Sequence, residues 1–201
     1  MIEHGHDFQA AYEHAAGLSG EMGLTLVPSF SRRLATGAGT YALEFLSRVA
    51  DLDTVYVPIG MGSGISGLIS ARDALGLKTR VVGVVAEGAP CYALSFEAGR
   101  AVSTNSADTI AGGVACRVPD EDALALILKG AERIVRVSDD AILEDMGHYL
   151  TDTHNLAEGA GAAPLAALLT ERHKMAGKKV GLILSGGNAA RAVLTRVVDG
   201  G

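Results

Sequence analysis

The chain has 201 residues, of which 48% are hydrophobic and 4% aromatic, which predicts one globular domain with an aliphatic core. Its 17 basic and 23 acidic residues give a net charge of −6 without a long basic run, so no nucleic-acid or anionic-membrane surface is expected. Two isolated cysteines, Cys91 and Cys116, and the lack of an apolar run of about 18 residues predict a cytoplasmic protein with free thiols and a small-molecule partner.

The first elements are predicted to be helices separated by a short strand. Apolar residues recur at helical spacing from Asp7 to Met22, and Asp7 is placed to cap that helix. Leu24 to Val27 is predicted to be a short strand, and Gly37 to Val49 a second helix.

The stretch from Thr54 to Gly67, TVYVPIGMGSGISG, combines a strand with a glycine-rich turn. Thr54 to Val57 suit a buried parallel strand, which Pro58 can end because proline cannot donate to the sheet. Glycines at 60, 62 and 64 let backbone N–H groups approach an anion, and a helix over Ile65 to Leu75 would direct its positive end at the same point. The stretch therefore predicts a phosphate-binding turn between a strand and a helix.

The same residues leave other functions open. Gly62, Gly64 and Gly67 also spell G-x-G-x-x-G, and Glu87 closes the next strand where a dinucleotide fold places its ribose-binding carboxylate. An NAD(P)-dependent oxidoreductase is therefore one alternative. A second is a non-catalytic phosphate-binding or assembly fragment, and a third is a helix cap whose small residues only pack on the sheet.

After this turn, strands and helices alternate, which is typical of an α/β fold with a mainly parallel sheet and a three-layer α-β-α arrangement. An irregular stretch, Gly99 to Pro119, interrupts the alternation because it is dense in turn-forming residues. The predicted elements are a strand Arg80 to Ala86, a helix Pro90 to Ala98, a strand near Ala101 to Thr104, a helix Glu121 to Lys129, a strand Arg133 to Val137, a helix from the N-cap Ser138 to about Leu150, a helix from Glu158 to about Met175, and a strand Val180 to Leu184.

Three polar or glycine-rich clusters follow predicted strands: Gly60 to Gly64, Glu87, and Ser185 to Asn188. The carboxyl ends of parallel strands meet at one edge of a sheet, where ligands bind between the loops. We therefore expect the three clusters to share one site.

Four segments in this order, VPIGMGSGISG, VVGVVAEGAPCYALSF, HNLAEGAGAAPLAALL and LILSGGN, resemble the pyridoxal-phosphate-dependent threonine dehydratase and serine racemase family, which has the tryptophan-synthase-β-like fold. The resemblance covers nearly the whole chain. It implies that residues 1–201 form a single domain, the C-terminal part of the large cofactor-binding domain of an incomplete fold. Residues 1–30 could include the last elements of the small domain.

The resemblance also implies a cofactor site. The cofactor phosphate would bind at Gly60, Met61, Gly62, Ser63 and Gly64, where Met61 and Ser63 replace more usual glycines. The Ser185 hydroxyl, followed by Gly186, would bond the pyridine nitrogen, a neutral partner that suits β-elimination of a hydroxyl group. Glu158 would lie near the ring. From local chemistry alone, Ser185 could instead be a turn residue and Glu158 a helix N-terminal charge.

The chain departs from the family pattern at two functional positions, the cation site and the Schiff-base lysine. Glu87 matches a cation-binding position in some relatives, but the carboxylate expected six residues later is Ala93. The Ser-Phe-Lys-x-Arg-Gly-type motif, which carries the Schiff-base lysine of the family, does not occur in the printed sequence. Its lysines, predicted to lie at solvated helix ends and turns, are Lys78, Lys129, Lys174, Lys178 and Lys179.

The resemblance predicts a pyridoxal 5'-phosphate-dependent ammonia-lyase (dehydratase) of a hydroxy-amino acid such as threonine or serine, present as a fragment. Without the lysine motif, the chain alone is expected to be inactive, and no catalytic residue is assigned within it. We also expect a homo-oligomer, or association through the apolar surface that the missing N-terminal part would cover.

Overall fold

The computed structural model describes residues 1–200, which form an α/β fold. A single turn of 3-10 helix at Gly112–Val114 interrupts the long connection after the fourth helix. The elements in chain order are α1 Phe8–Met22, α2 Arg32–Arg48, β1 Thr54–Pro58, α3 Ser63–Ala74, β2 Arg80–Ala86, α4 Cys91–Ala98, α5 Glu121–Gly130, β3 Arg133–Val137, α6 Asp139–Asp152, α7 Gly159–Thr170, α8 Arg172–Met175, β4 Val180–Leu182 and α9 Arg191–Asp199.

The four strands form one sheet in the order β3-β2-β1-β4, and every pairing is parallel. Thr54 of β1 pairs with Arg80 of β2 on one side and with Val180 of β4 on the other. The strand before the glycine-rich turn is therefore central, and its carboxyl end lies beside that of β4. The predicted parallel α/β fold is confirmed.

Successive residues of β1 belong to two separate hydrophobic cores, as alternation along a strand requires. Val55 and Val57 pack in a core with residues of α2, α3 and α5, whereas Tyr56 packs with residues of α6 and α7. The sheet therefore lies between two helical layers, which is the predicted three-layer arrangement. Because β1 is apolar on both faces, it is buried along almost its whole length.

Two of the predicted short strands are wrong. Leu24 to Val27 is irregular and largely exposed, because no neighbouring strand offers it a hydrogen-bonding partner. Ala101 to Thr104 is also irregular, since the Val102 N–H donates to the side chain of Ser95 (2.9 Å) instead of to a strand.

Three predicted helix and strand limits also need correction. The second helix begins at Arg32 instead of Gly37, because Ser31 caps it by accepting from the Leu34 N–H. The single helix predicted from Glu158 to Met175 is broken at Glu171, and β4 ends at Leu182 instead of Leu184. The helix α9, which packs against α6, was not predicted.

Glu171 breaks the helix where its carboxylate enters a network of polar side chains at the amino edge of the sheet. The carboxylate accepts from the hydroxyl of Tyr56 (2.7 Å), from Arg133 (3.1 Å to Nε) and from Lys174 (2.8 Å). Burial alone would raise the pKa of Glu171, but these three donors outweigh it and hold that pKa at about 2. The network fastens β1, β3 and α7 together at the edge opposite the glycine-rich turn.

The first helix, α1, buries none of its residues. Asp7 caps it, as predicted, and also binds Arg117, whose hydrogen bond is the main cause of the lowered pKa of Asp7. Phe8 and Met22 remain 46% and 61% exposed. Within residues 1–200, no helix is both long enough and apolar enough to cross a membrane.

The buried carboxyl of Asp145 in α6 should make the stability of the folded chain depend on pH. It is 3% exposed, and its Oδ1 atom has no hydrogen-bond partner within residues 1–200. Burial raises its pKa from 3.8 to about 6, against a smaller opposing effect of His148. Well below pH 3.8 the carboxyl is protonated in the folded and unfolded chain alike. Between pH 3.8 and about 6 the unfolded chain releases this proton while the folded chain retains it, so stability falls as pH rises.

We therefore expect Asp145→Asn to raise the free energy of unfolding by about 1–3 kcal/mol at pH 7.5 and to change it little at pH 3.5. Urea denaturation at both pH values measures the difference. Asp152→Asn, an exposed residue of the same helix, should change stability by less than about 0.5 kcal/mol at either pH. A destabilised Asp145→Asn variant at pH 7.5 would contradict the assignment of Asp145 as a strained ionised group.

Candidate functional site

The turn between β1 and α3 presents a row of unpaired backbone donors. Gly62 has a left-handed backbone (φ 96°) and precedes α3 without any side-chain capping bond. The first helical hydrogen bond runs from the Ser66 N–H to the Gly62 carbonyl (3.0 Å). Within residues 1–200, the N–H groups of residues 60–65 donate to no acceptor, and the positive end of the α3 dipole lies beside them. This geometry suits a bound anion.

The turn is held by close contact with the segment around the 3-10 helix. A Cβ at Gly60 would lie 2.3 Å from the carbonyl oxygen of Gly113, a distance that no side chain tolerates. Gly113 in turn lies against Ala160 at the start of α7. The glycines therefore allow three segments to come into close contact where the sheet ends.

The segment after β4 approaches the start of α7 in the same way. A Cβ at Gly161 would meet the Gly186 carbonyl oxygen at 2.7 Å, and one at Gly187 would meet the Leu156 carbonyl oxygen at 2.4 Å. The Glu158 N–H donates to the Gly186 carbonyl (3.0 Å). The Ser185-Gly-Gly-Asn188 segment is thereby fixed against the residues that open α7.

Glu158 turns its carboxylate towards these glycines instead of towards its own helix. It is the N-cap residue of α7 but makes no side-chain capping bond. A Cβ at Gly186 would lie 2.6 Å from its Oε1 atom, and one at Gly113 would lie 3.7 Å from the same atom. The alternative of a simple helix N-terminal charge is therefore not favoured by the geometry.

These segments enclose a cleft of about 280 Å³ at the carboxyl edge of the sheet. Its walls include seven of the eight residues predicted to bind the cofactor, and the eighth, Gly186, lies against Glu158. A second cleft of about 300 Å³ adjoins it, because Gly113, Glu158 and Ala160 line both. The first cleft is lined by Pro58, Gly60, Met61, Gly62, Ser63, Gly64, Gly113, Glu158, Ala160 and Ser185.

The cleft holds no basic side chain among the residues that line it. An anion bound there would be neutralised by backbone N–H groups and the α3 dipole, not by lysine or arginine. The Ser185 hydroxyl lies at the same opening and is exposed, so it is free to bond a polar atom of a ligand. The unpaired amides, the small residues and one hydroxyl together fit a phosphate ester with a polar ring.

The structure separates Glu87 from the other two predicted clusters. Glu87 is exposed at the end of β2 and does not line the cleft, so the expectation of one shared site is wrong for this residue. Asn188 lines the adjoining cleft. No group of three or more histidine, cysteine or acidic side chains within residues 1–200 is arranged to hold a metal ion, and the cation role of Glu87 stays a prediction.

Gly67, the last glycine of G-x-G-x-x-G, has a packing role. A Cβ there would meet the Gly39 nitrogen at 2.6 Å and the Ala35 carbonyl oxygen at 2.8 Å, so this glycine lets α3 lie against α2. It does not line the cleft. A packing role is also what the dinucleotide alternative gives to its third glycine, so only Glu87, which does not line the cleft with Gly62 and Gly64, counts against that alternative.

Two contributors to the site were missed by the sequence analysis. Gly113 was treated as part of an irregular loop, although the Gly112-Gly113 pair signals a close backbone approach. Tyr92 was placed on a helix without a function, yet its hydroxyl contacts the carbonyl of Met61 at the turn (2.9 Å). No local pattern distinguishes that tyrosine from an ordinary core residue.

Comparison with known proteins gives one family. The model of the family described as pyridoxal-phosphate dependent enzyme matches residues 1–186. The L-threonine ammonia-lyase of Thermotoga maritima is 32% identical over 202 residues, which cover 100% of this chain and 50% of that protein. The biosynthetic L-threonine dehydratase of Escherichia coli is 33% identical over 191 residues, covering 94% of this chain and 37% of that enzyme.

Solved structures show the same fold. The processed form of threonine deaminase isoform 2 from Solanum lycopersicum superposes with a TM-score of 0.89 and 28% identity, covering 98% of this chain and 59% of that one. Maize serine racemase superposes with a TM-score of 0.85 and 28% identity, covering 98% of this chain and 62% of that one. The chain thus spans about half the length of the curated relatives it matches.

Because Gly60 and Gly113 are in close contact, one methyl group added at Gly60 should change the stability of the fold. Gly60→Ala should lower the free energy of unfolding by about 1–3 kcal/mol, because the new Cβ must push the two backbones apart. Gly37→Ala in α2 is the matched control: nothing lies within 4 Å of its Cβ, and it should be neutral or stabilising by up to about 1 kcal/mol. Urea denaturation measures the free energy of unfolding of both variants. Equal stabilities would contradict the prediction, because they would show that the turn accommodates the extra methyl group without cost.

Proposed function

Since this chain belongs to the family of pyridoxal-phosphate dependent enzymes, we propose that it binds the phosphate of pyridoxal 5'-phosphate at the β1–α3 turn. We further propose that it contributes this site to an ammonia-lyase (dehydratase) of a hydroxy-amino acid such as threonine or serine. One observation carries the proposal: β1 and β4 are parallel neighbours, so the glycine-rich turn and Ser185 open into one cleft. The similar proteins named threonine ammonia-lyase and threonine dehydratase support the reaction class.

Each group in the cleft has a distinct part in this proposal. The free N–H groups of residues 60–65 would receive the phosphate. The lack of a Cβ at Gly60 and Gly62 lets the turn pack against Gly113 and Ala123 in the shape that leaves these groups open. Ser185 would present its hydroxyl to the pyridine nitrogen. The cofactor, when bound, supplies an electron sink that weakens bonds at the amino acid's α-carbon. A neutral hydroxyl partner does not force a proton onto the ring nitrogen, which suits loss of a β-hydroxyl group.

Glu158 and the second cleft supply the side of the site that faces away from the phosphate. The carboxylate lies against Gly113 and Gly186, at the boundary shared by the two clefts. There it would lie beside the ring and limit how the ring can tilt. The adjoining cleft of about 300 Å³ offers space on that side for a small amino-acid substrate.

The lysines support the proposal that these 201 residues do not turn over substrate by themselves. Lys179 directly precedes β4 and donates to the Ala50 carbonyl (2.7 Å), and Lys174 binds Glu171. Lys78 and Lys129 precede β2 and β3, near the same amino edge. An amine beside the cofactor would have to lie at the carboxyl edge, on the opposite side of the sheet.

The alternatives are less well supported by the geometry. An NAD(P)-dependent oxidoreductase would require the carboxylate of Glu87 beside the ligand, but Glu87 is exposed and does not line the cleft. A non-catalytic phosphate-binding fragment would use the same turn. Turnover in a longer protein distinguishes that alternative from an enzyme.

Some expectations remain proposals. We propose that residues 1–201 form a single domain, the C-terminal part of the large cofactor-binding domain, and that residues 1–30 include the last elements of the small domain. The second proposal is supported by α1, which has no buried residue. Leu156 and Leu184 beside the site are 46% and 36% exposed, which supports association with another copy or segment.

A cytoplasmic location stays a prediction from the two free thiols.

A chimera tests the activity. In it, these 201 residues replace the matched half of Thermotoga maritima L-threonine ammonia-lyase. We expect the chimera to release 2-oxobutanoate from threonine, and the isolated chain with added cofactor to release none. The same chimera with Gly62→Val, whose side chain would meet Ala123 (2.7 Å from Cβ), should lose cofactor binding and activity.

Two results would contradict the proposal. A chimera that folds and holds the cofactor but dehydrates neither threonine nor serine would favour the non-catalytic alternative. Turnover by the isolated chain, dependent on added cofactor, would show that one of its own lysines serves the site.

A further inference from the structure

Tyr92 of α4 links the phosphate-binding turn to the start of α5. It is fully buried, and its hydroxyl lies 2.9 Å from the Met61 carbonyl oxygen and 3.0 Å from the backbone nitrogen of Asp120. A carbonyl can only accept and an N–H can only donate, so the hydroxyl donates to Met61 and accepts from Asp120. Both the oxygen and the proton of Tyr92 therefore have fixed places.

The buried position also keeps that proton on the oxygen. Burial raises the pKa of Tyr92 above its ordinary value, and the neighbouring thiols and the Asp120 carboxylate act in the same direction. Only the backbone hydrogen bond from Asp120 opposes the shift. The hydroxyl therefore remains a donor to Met61 throughout the physiological pH range.

The bond to Met61 orients the next amide. The Met61 carbonyl and the Gly62 N–H belong to one planar peptide unit and point to opposite sides of it. Tyr92 draws the carbonyl into the buried interior, so the N–H must point the other way, towards the cleft that Met61 and Gly62 line. Gly62 itself rests on Tyr92 and Ala123, where a Cβ would come within 3.3 Å and 2.7 Å.

We propose that Tyr92 is a positioning residue for the phosphate-binding turn, acting through the Met61–Gly62 peptide and not by touching the ligand. The inference rests on the proposed function, because it concerns how the same turn receives the cofactor phosphate. With no basic side chain lining the cleft, the direction of each amide determines phosphate affinity. Without the hydroxyl, the peptide unit is free to rotate and its N–H is no longer held towards the anion.

Tyr56 provides a matched control for the loss of a buried hydroxyl. It is also fully buried, and its hydroxyl also donates one bond and accepts another, to Glu171 (2.7 Å) and from Arg133 (3.2 Å). These bonds lie at the amino edge of the sheet, away from the turn. Tyr92→Phe and Tyr56→Phe therefore remove the same group from equally buried positions. Only Tyr92→Phe removes a contact with the phosphate-binding turn.

The test is isothermal titration of the full chain and both variants with pyridoxine 5'-phosphate, inorganic phosphate and pyridoxine. We expect Tyr92→Phe to raise the dissociation constants of both phosphate-containing probes by about tenfold and to leave that of pyridoxine unchanged. Tyr56→Phe should leave all three dissociation constants unchanged, although it also lowers the melting temperature. Phosphate affinities that are equal in the two variants would overturn the inference.

The same titration separates this inference from the proposed function. If the unaltered chain binds pyridoxine 5'-phosphate no more tightly than inorganic phosphate, the cofactor proposal fails, while the effect of Tyr92→Phe on inorganic phosphate still decides the role of Tyr92. Binding of neither probe by the unaltered chain would overturn both.

A second measurement serves if Tyr92→Phe does not fold. In the unaltered chain, inorganic phosphate should shift the ¹H–¹⁵N NMR signal of the Gly62 amide strongly, because the bond from Tyr92 to the Met61 carbonyl holds that N–H towards the cleft. The Asp120 amide, which donates to the Tyr92 hydroxyl and not to the ligand, should shift little. A Gly62 signal that phosphate leaves unchanged contradicts the inference.

Discussion

The site depends on the contact of backbone with backbone between loops at the carboxyl edge of the sheet. Because β1 and β4 are parallel neighbours, the loops that follow them leave the sheet side by side. They meet the start of α7 and the 3-10 segment where Gly60 faces the Gly113 carbonyl and Gly161 faces the Gly186 carbonyl. A single methyl group at either position would separate these segments. The glycines therefore shape the cleft before any functional side chain takes part.

This construction explains how an acidic chain without basic residues in its cleft can attract an anion. The net charge is −6, and the positive potential at the turn comes from unpaired N–H groups and the dipole of α3. Charge of this kind depends on orientation, whereas a lysine side chain can adjust its position. The polar network around Glu171 and Tyr56 lies at the other edge, where it holds the sheet without competing for the ligand.

The sequence predicted the parts of the molecule that local rules determine. The buried strand Thr54–Val57, the caps at Asp7 and Ser138, and the position of the turn all follow from residue type and spacing. The site required two strands far apart in the chain to become neighbours; the rule that ligands bind at the carboxyl edge of a parallel sheet predicted a shared site, but the pairing of β1 with β4 is a tertiary feature. The structure corrected what depends on tertiary partners: Leu24–Val27 finds no strand to pair with, Glu171 breaks a helix to reach Arg133, and Gly113 closes the cleft from an irregular loop.

The proposed function stands or falls with phosphate binding by the backbone amides of the β1–α3 turn. A ¹H–¹⁵N NMR titration of the chain with pyridoxine 5'-phosphate reports on these amides one by one, with pyridoxine as the ligand that lacks the phosphate. We expect the amides of residues 60–65 to shift strongly with the phosphate ester and little with pyridoxine, and residues near Ser185 to respond to both. Shifts confined to another part of the surface, with the turn unaffected, would contradict it.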